Sequence, residues 1–533
     1  MKILIIVPKY NLSTKKDYTY NFPFGLGYIS STLKKAGYVV DCINLNHING
    51  NVEEIISSYL RNKNYEYILT GGNALLFSQF QKIIQTIRKN SSSKIVLGGP
   101  IITSEPELMF SSLIPDFAVH GEGEETILNL LRTIEKGKEI SKVKGIVYQN
   151  KDKIVITPVR EPIKDIEKIP YPDFDGFDFQ KQLENLHCND SWNFQAQDFP
   201  RTYPLLGSRG CPFNCTFCWH SERYRARSIK DIMKEIEWAI NKFKINNLVI
   251  YDDCFGADKK RVREFCKEIK KLFKKTGVSL IWNSQYIVSN VDAEILKVMK
   301  DAGCEMVGYG FESFSPIVLR SMRKPITPKQ IDFALKETLK VNMGVQGNFI
   351  FGDPVETKET AKETLDYWKK NAQAQITLGF VQPYPGSDLY KYCLKKGMIK
   401  DKLAYIQNQM GSDSRINMTE KMSDKEIQEL SDSLLVLFSR YAKFVKPISM
   451  KKMKKNVYAF EIKCPYCYKK LLYKNCFIPN KFTYGFHLTC RNCHMRFVLV
   501  SAIQKIAYRF YSGTRKIRNR YVSIKTKIRR MSV

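Results

Sequence analysis

Long apolar runs are absent from this sequence of 533 residues. No stretch approaches the ~18 residues that a membrane-spanning helix needs, so we expect no membrane span. Met1–Pro8 becomes apolar too abruptly for a secretory signal and indicates a buried strand instead, which favours a cytoplasmic location. With 44% hydrophobic residues, the chain is globular and long enough for two to four domains.

Acidic residues are nearly absent from the C-terminal end. From Tyr441 onward there are 23 Lys and Arg residues and a single acid, Glu461, so 22 of the 32 net positive charges lie in this part. The basic character therefore says little about the chemistry of the first 440 residues.

Cysteines are scarce in the first third of the chain, where Cys42 is the only one before Cys188. The other informative cysteines of the total of 14 stand at metal-ligand spacings, which argues against a disulfide framework in so long a chain. A reducing compartment is expected.

Three of those cysteines, Cys211, Cys215 and Cys218, follow an apolar segment and a Ser-Arg-Gly turn with the spacing C-x3-C-x2-C. Thiolates are the usual ligands of a [4Fe-4S] cluster, and three of them leave one iron open to an outside ligand. The alternative is a zinc site or a merely buried cysteine cluster.

The spacing, with Phe217 before the last cysteine, resembles the signature of the radical S-adenosylmethionine (SAM) family. The resemblance implies that SAM chelates the open iron and is cleaved reductively to a 5′-deoxyadenosyl radical, which abstracts hydrogen from an unactivated carbon. It also implies an electron donor such as flavodoxin or ferredoxin.

Residues 1 to about 165 alternate short apolar runs with helical patterns, which predicts an α/β domain with a parallel, doubly wound sheet. Such sheets bind ligands at the carboxyl ends of their strands. Glycine lets a backbone approach a ligand closely, and the candidates at those ends are Gly25, Gly27, Gly71, Gly72, Gly98, Gly99, Gly121 and Gly123, with Glu122 among them.

The segments around these glycines resemble the cobalamin-binding domain that precedes many radical SAM cores. The Asp-x-His-x-x-Gly motif of other cobalamin proteins is absent, which leaves cobalamin held by shape and backbone contacts, or a domain that has lost it. Methylthiotransferases share the layout but use three N-terminal cysteines for a second cluster, and Cys42 alone cannot hold one.

From residue 200 to 395, six strand–helix units resemble the partial (β/α)6 barrel of the radical SAM family. The resemblance places SAM contacts at the ends of the strands. The candidates are Asp252 or Asp253 for the amino group of SAM, Glu312 or Ser313 near its ribose, and Phe351 in the adenine pocket. A helix N-cap explains one of the two aspartates equally well.

Cys464, Cys467, Cys490 and Cys493 form two C-x2-C pairs, the pattern of a structural zinc ribbon. An auxiliary iron–sulfur cluster is the alternative. The following residues, 501–533, predict a basic amphipathic helix, for which an anionic membrane surface, nucleic acid and the protein's own core are the three candidate partners.

The predicted organisation is a cobalamin-type domain (1–165), a linker (166–199), the radical SAM core (200–395), a helical extension (396–450), the zinc-ribbon module (455–500) and the basic tail (501–533). We expect a cobalamin-dependent methyltransferase acting on a small-molecule or lipid-linked substrate. A radical SAM oxidoreductase or cyclase without cobalamin is the second hypothesis, and a non-catalytic RNA- or membrane-binding protein is the third.

Overall fold

The computed structural model describes residues 1–11, 13–190, 195–219, 223–411 and 415–506. Most of the predicted basic tail, residues 507–533, therefore lies outside the described residues. Within the described part, no helix is both long enough and apolar enough to cross a membrane.

The N-terminal part alternates strands and helices as predicted. Its strands are β1 Lys2–Val7, β2 Val39–Asn44, β3 Tyr67–Gly71, β4 Lys94–Gly98, β5 Phe117–Val119, β6 Ile146–Asn150 and β7 Lys153–Ile156. Its helices are α1 Phe24–Lys35, α2 Val52–Leu60, α3 Phe77–Asn90, α4 Pro100–Ser104, α5 Pro106–Leu113, α6 Glu124–Glu135 and α7 Phe179–Glu184.

These strands form one sheet in the order β2-β1-β3-β4-β5-β6-β7. The first five are parallel, in the order of a flavodoxin-like doubly wound fold. The expectation of a parallel sheet was incomplete, because β6 and β7 add an antiparallel hairpin at one edge. Nearly all of β1 is buried, as its apolar sequence requires.

The middle of the chain contains a second, wholly parallel sheet. The strands of this part of the chain, inside and outside that sheet, are β8 Thr202–Leu205, β9 Ser208–Arg209, β10 Arg225–Ala226, β11 Asn247–Ile250, β12 Ile281–Tyr286, β13 Cys304–Glu312, β14 Gly344–Phe351 and β15 Gln375–Phe380. The helices are α8 Ile229–Phe243, α9 Lys259–Thr276, α10 Ala293–Asp301, α11 Pro316–Ser321, α12 Pro328–Lys340 and α13 Lys358–Lys370.

Six of these strands pair in simple chain order, β8-β11-β12-β13-β14-β15, whereas β9 and β10 form a separate two-stranded pair. Local signals define the helix ends: Thr327 and Gln330 make a capping box at the start of α12, and Gly277 ends α9 in the left-handed conformation. The predicted six strand–helix units are thus present, and their parallel pairing is confirmed.

The C-terminal part begins with α14 Asp388–Lys395, α15 Lys402–Ala404, a π-helical turn at Tyr405–Gln409 and α16 Asp424–Tyr441. It continues with β16 Phe444–Val445, β17 Ser449–Lys454, β18 Val457–Lys463, β19 Lys470–Phe477, β20 Gly485–Thr489 and β21 Arg496–Val500. These six strands make two three-stranded sheets. The module therefore starts before the predicted residue 455.

The chain divides into two compact units. The first contains residues 1–185, 206–243 and 382–416, and the second contains residues 186–205, 244–381 and 417–533. The predicted linker, residues 166–199, is divided between the two units at residue 185. Its first part is ordered by contacts, because Asp173 accepts hydrogen bonds from Ser30 Oγ and Lys34 Nζ, each at 2.6 Å.

Candidate functional site

The three cysteines of the C-x3-C-x2-C motif lie in a loop whose two ends are held together. β9 precedes the loop and β10 follows it, and the two pair antiparallel through Arg209 opposite Arg225 and Ser208 opposite Ala226. Within the loop Cys215 is buried, Cys211 is half-buried and Cys218 is exposed. The motif is therefore a closed loop with a solvent-facing thiol.

Two arginines at the base of this loop bind carboxylates of the N-terminal sheet's last βα connection. Arg209 Nη1 lies 2.9 Å from Glu122 Oε1, and Arg209 Nη2 lies 2.6 Å from Glu124 Oε1. Arg225 donates from Nη1 and Nη2 to the two oxygens of Glu122, at 3.0 and 2.9 Å. We call these four residues the arginine clamp.

The clamp is largely shielded from water. Glu122 and Glu124 are buried, and the side chains of both arginines are at most 15% exposed. Burial works to raise the pKa of the Glu122 carboxyl, but the hydrogen bonds from Arg225 and the charge of Arg209 outweigh it and hold that pKa below its ordinary value. Glu122 therefore remains ionised at neutral pH.

Glu122 was predicted from sequence as a cobalamin contact. In the structure both of its carboxylate oxygens are occupied, since Ile163 N also donates to Oε2 at 2.6 Å. Its side chain links the loop that carries the three cysteines to the N-terminal sheet. Any contact of Glu122 with cobalamin stays a prediction. Sequence reasoning missed the partners Arg209 and Arg225 because they lie 87 and 103 residues away from Glu122 along the chain.

The loop also packs against the segment Gln382–Ser387, which follows β15. Gly386 has φ +89°, and a Cβ there would lie 2.3 Å from Trp219 Cδ1. The backbone N–H of Leu389 donates to Thr216 O at 2.9 Å. A glycine is therefore needed at 386 both for its conformation and for the close approach of Trp219.

The predicted cobalamin-binding glycines serve several purposes. A Cβ at Gly71 would meet Gly98 O at 2.6 Å, and one at Gly99, with φ +91°, would meet the backbone of Gly72 at 2.9 Å. These glycines permit two neighbouring loops to approach each other, which is a different reason from the approach to a ligand expected from sequence. A Cβ at Gly25, in contrast, would meet no atom within 4 Å.

Two of the three remaining N-terminal glycines, Gly27 and Gly123, also face protein side chains. A Cβ at Gly27 would contact Phe22 at 2.8 Å, and one at Gly123 would contact Ile29 at 2.9 Å. Gly121 has φ +84°, a left-handed conformation that favours glycine. Their contacts with cobalamin remain predictions.

Glu312 ends β13 in a strained conformation and lies among polar partners. Its φ is +59°, which a residue with a side chain rarely adopts. Lys324 Nζ donates to Oε1 at 3.0 Å, and Asn348 Nδ2 donates to Oε2 at 2.7 Å. Strain of this kind concentrates at functional sites, so Glu312 is the better supported of the two ribose candidates, and Lys324 and Asn348 are additions that sequence reasoning missed.

The other SAM candidates are placed less favourably for a ligand. Ser313 is buried, lies 3.2 Å from Thr364 Oγ1 and accepts from Ser315 N. Phe351 is fully buried and packs against Phe380. Asp252 is buried and Asp253 exposed after β11. Their roles in SAM binding remain predictions.

Comparison with known proteins adds family matches to this geometry. Residues 205–367 match the radical SAM superfamily, and residues 14–131 match the B12-binding domain. The chain carries a B12-binding domain followed by a radical SAM domain. Strands β2 to β5 and the loop that carries the three cysteines fall within these two matches, whereas β1, β6 and β7 lie outside them.

Two relatives align with this chain over most of their length. The chain is 29% identical to an uncharacterized methyltransferase of Pyrococcus horikoshii, over 75% of this chain and 84% of the relative. It is 26% identical to the anaerobic magnesium-protoporphyrin IX monomethyl ester cyclase of Rubrivivax gelatinosus, over 73% and 70%.

A solved structure shows the same fold. The radical SAM methyltransferase TsrM from Kitasatospora setae, determined with cobalamin and a [4Fe-4S] cluster bound, superposes with a TM-score of 0.60 at 16% identity. The match covers 74% of this chain and 75% of TsrM.

Beyond the radical SAM domain, four thiols gather in the C-terminal module. The Sγ atoms of Cys464, Cys467, Cys490 and Cys493 all lie within 4.8 Å of one another. Cys464 is 3.8 Å from Cys493, and Cys467 is 3.7 Å from Cys490. A tetrahedral ion with metal–sulfur bonds of about 2.3 Å needs sulfurs about 3.8 Å apart, so the set fits one zinc ion.

The two cysteine pairs have matching backbone geometry. Cys464–Cys467 follows β18 and Cys490–Cys493 follows β20, each in a hairpin turn whose next residue, Tyr468 or His494, has φ +59°. In each turn a backbone N–H donates to the first sulfur at 3.4 Å. Sequence spacing predicted the four ligands, and the structure brings all four together.

The module is joined to the edge of the six-stranded sheet. Arg496 N donates to Gln373 O at 3.1 Å, and Gln375 Nε2 donates to Thr489 Oγ1 at 3.0 Å. His494 Nε2 lies 3.6 Å from Glu305 Oε2. The second cysteine turn is thus part of the interface with the sheet that carries Glu312.

Proposed function

We propose that this protein is a cobalamin-dependent radical SAM enzyme that methylates an unactivated carbon. One observation supports this most strongly: the arginine clamp attaches the loop with the three cysteines directly to the B12-binding domain. A chain that used its cluster independently of that domain would not need a buried attachment at this place.

We propose that Cys211, Cys215 and Cys218 hold the [4Fe-4S] cluster. When bound, the cluster and SAM would supply a hydrogen-abstracting radical, and cobalamin would supply a transferable methyl group. The protein's own residues hold and orient these groups: the clamp fixes the base of the loop, and Trp219 on Gly386 covers one side of it.

In the radical SAM domain, we propose that Glu312 accepts hydrogen bonds from the SAM ribose while Lys324 and Asn348 fix its carboxylate. The six-stranded sheet in chain order is proposed to form the open βα barrel of the family. Zinc at the four C-terminal thiols is proposed to have a structural role, since all four positions are taken by protein ligands.

The substrate is proposed to be a small molecule, and a flavodoxin or ferredoxin to be the electron donor. A lipid-linked substrate, a contact of the basic tail with a membrane and a cytoplasmic location also remain proposals. Residues 507–533, on which the tail proposal depends, lie outside the described part of the chain.

The experiment is anaerobic reconstitution with iron, sulfide and hydroxocobalamin, followed by incubation with reductant and methyl-labelled SAM. We expect a bound-cobalamin absorbance spectrum, 5′-deoxyadenosine, and transfer of the label to cobalamin. Cys215→Ala should abolish 5′-deoxyadenosine, whereas Cys393→Ala, a buried cysteine outside the motif, should not. Failure of the wild-type holoprotein to bind cobalamin under saturating supply would refute the proposal.

A cyclase or other oxidoreductase is the second candidate, and similarity to the Rubrivivax gelatinosus cyclase over 73% of this chain favours it. It predicts 5′-deoxyadenosine formation without movement of the methyl label. The same incubation therefore distinguishes the two functions.

A further inference from the structure

The C-terminal module presents a sheet face on which the exposed charges are lysines. In antiparallel pairs, directly opposite residues share a face. Phe460 lies opposite Met450 and Tyr473, and Phe460 and Tyr473 are fully buried, which identifies the inner face of the β17-β18-β19 sheet. The alternate residues therefore form its outer face.

Lys463 and Lys470 lie opposite each other on that outer face, and Lys451 lies on it in β17. Leu472, 48% exposed, stands two residues beyond Lys470, and Lys474 follows it. All four lysines are exposed. We call these five residues the lysine face.

Little within the protein neutralises the lysine face. Residues 444–506 hold 11 lysines and two arginines against the single acid Glu461. Glu461 lies on the same outer face, opposite Leu472, but it is half-buried and accepts from Ser449 Oγ. Among the described residues, none of the four lysines has a carboxylate at ion-pair distance. Lysines elsewhere commonly do, as Lys362 does with Asp366 at 2.6 Å.

Apolar side chains are exposed in this module as well. Leu472 of the lysine face is 48% exposed, and Met453 of β17 and Phe482, in the connection from β19 to β20, are 47% and 61% exposed. β17 is exposed on both faces along its whole length. Large apolar side chains among lysines indicate a partner with both anionic and apolar groups.

We propose that the lysine face docks on an anionic phospholipid bilayer. Lysine is a compact point charge that suits a diffuse layer of phosphates, whereas recognition of bases relies on arginine forks and aromatic stacking platforms. Here Arg491 is engaged by Ala196 O and Asp198, and the centre of the face is aliphatic Leu472. An acyl-chain boundary accommodates Leu472.

This proposal goes beyond the proposed function and does not depend on it. It also differs from a contact through the basic tail, because every residue of the lysine face precedes residue 507. Removal of residues 507–533 is therefore the first variant, and we expect it to keep selective binding to anionic vesicles.

The experiment measures co-sedimentation of the full-length holoprotein with phosphatidylcholine vesicles with and without phosphatidylglycerol. We expect binding only with phosphatidylglycerol, weakening as salt screens the charges. Replacing Lys451, Lys463, Lys470 and Lys474 with Gln should weaken binding by roughly 600-fold, at about fivefold per lysine. Leu472→Ser should weaken it severalfold.

The matched control replaces four exposed lysines of α9 with Gln, namely Lys260, Lys267, Lys270 and Lys274. It makes the same change in net charge and should bind vesicles as the wild type does. Metal content and thermal unfolding verify that each variant folds. If the variant with all four lysines replaced loses its metal, the four single substitutions are measured instead. Each is then expected to weaken binding about fivefold.

Three results would overturn the proposal. The wild type could fail to bind anionic vesicles, the α9 control could weaken binding as much as the lysine-face variant, or removal of 507–533 could abolish binding altogether. Binding of the same variants to single-stranded RNA is also measured. If the lysine-face substitutions abolish RNA binding and leave vesicle binding intact, the face is a nucleic-acid site and the proposal is wrong.

Discussion

The arginine clamp gives the most specific prediction about stability. Glu122→Gln keeps the shape of the side chain but removes the charge that faces Arg209 and Arg225. Removing one partner of a buried ion pair typically costs about 3–5 kcal/mol, because the other charge stays buried without compensation. We take the lower end, about 3 kcal/mol, because Glu124 still accepts from Arg209 at 2.6 Å.

For a unit of this size a loss of about 3 kcal/mol corresponds to a fall in Tm of roughly 6–12 °C. Thermal unfolding followed by circular dichroism measures it, and iron per chain after reconstitution reports whether the loop still holds its cluster. We expect both to fall in Glu122→Gln. Glu125→Gln is the control, since Glu125 is 57% exposed and 3.9 Å from Arg160.

The effect should depend on pH with a definite sign. The pKa of Glu122 is lowered in the folded protein below its ordinary 4.5, so its stabilisation is complete at pH values above the unfolded pKa and is lost as the pH falls through the folded pKa. The difference between wild type and Glu122→Gln should therefore shrink in acid below about pH 4.5. Equal Tm values for the two glutamine variants at pH 7 would refute the reasoning.

Three further predictions concern the other sites. Cys467→Ser should abolish stoichiometric zinc binding, measured by mass spectrometry of metals, whereas Cys476→Ser, outside the four-thiol set, should retain it. Zinc binding by both variants would refute the proposed zinc site. Lys324→Met should raise the KM for SAM about tenfold, since one charge-assisted hydrogen bond contributes about 1.5 kcal/mol, and an unchanged KM would exclude Glu312 and Lys324 from the SAM site. Burial raises the pKa of Glu356 to about 8, although Gly352 N donates to it. The wild type should therefore lose stability relative to Glu356→Gln as the pH rises from about 4.5 to about 8. Parallel pH profiles of the two proteins in thermal unfolding would contradict this.

The sequence predicted the strands well where local apolar runs are distinct. Met1–Pro8 was predicted to contain a buried strand, and β1 Lys2–Val7 lies there, because this segment is a short apolar run between clear breaks. The β6–β7 hairpin was missed, since Lys153–Ile156 is only half-buried and its pattern is weak. The short helices α4 and α5 were missed as well.

The ligand sets were predictable from spacing, whereas their surroundings were not. The two C-x2-C pairs define a metal site in any fold that brings the turns together, and the four thiols do meet. The clamp of Arg209 and Arg225 on Glu122 has no local signal, because pairing across about 100 residues depends on the fold. For the same reason the close approach of Gly71 and Gly99 to a neighbouring backbone was not foreseen, and their contact with cobalamin stays a prediction.

The pairing of β9 with β10 has a consequence for the free energy of binding at the three cysteines. Bringing the ends of a flexible segment together costs conformational entropy that grows with its length. Here strand pairing and the clamp already hold the two ends together, so a cluster held by Cys211, Cys215 and Cys218 would not have to close the loop itself. The exposed Cys218 would be the thiol most accessible from solvent, and buried Cys215 the least.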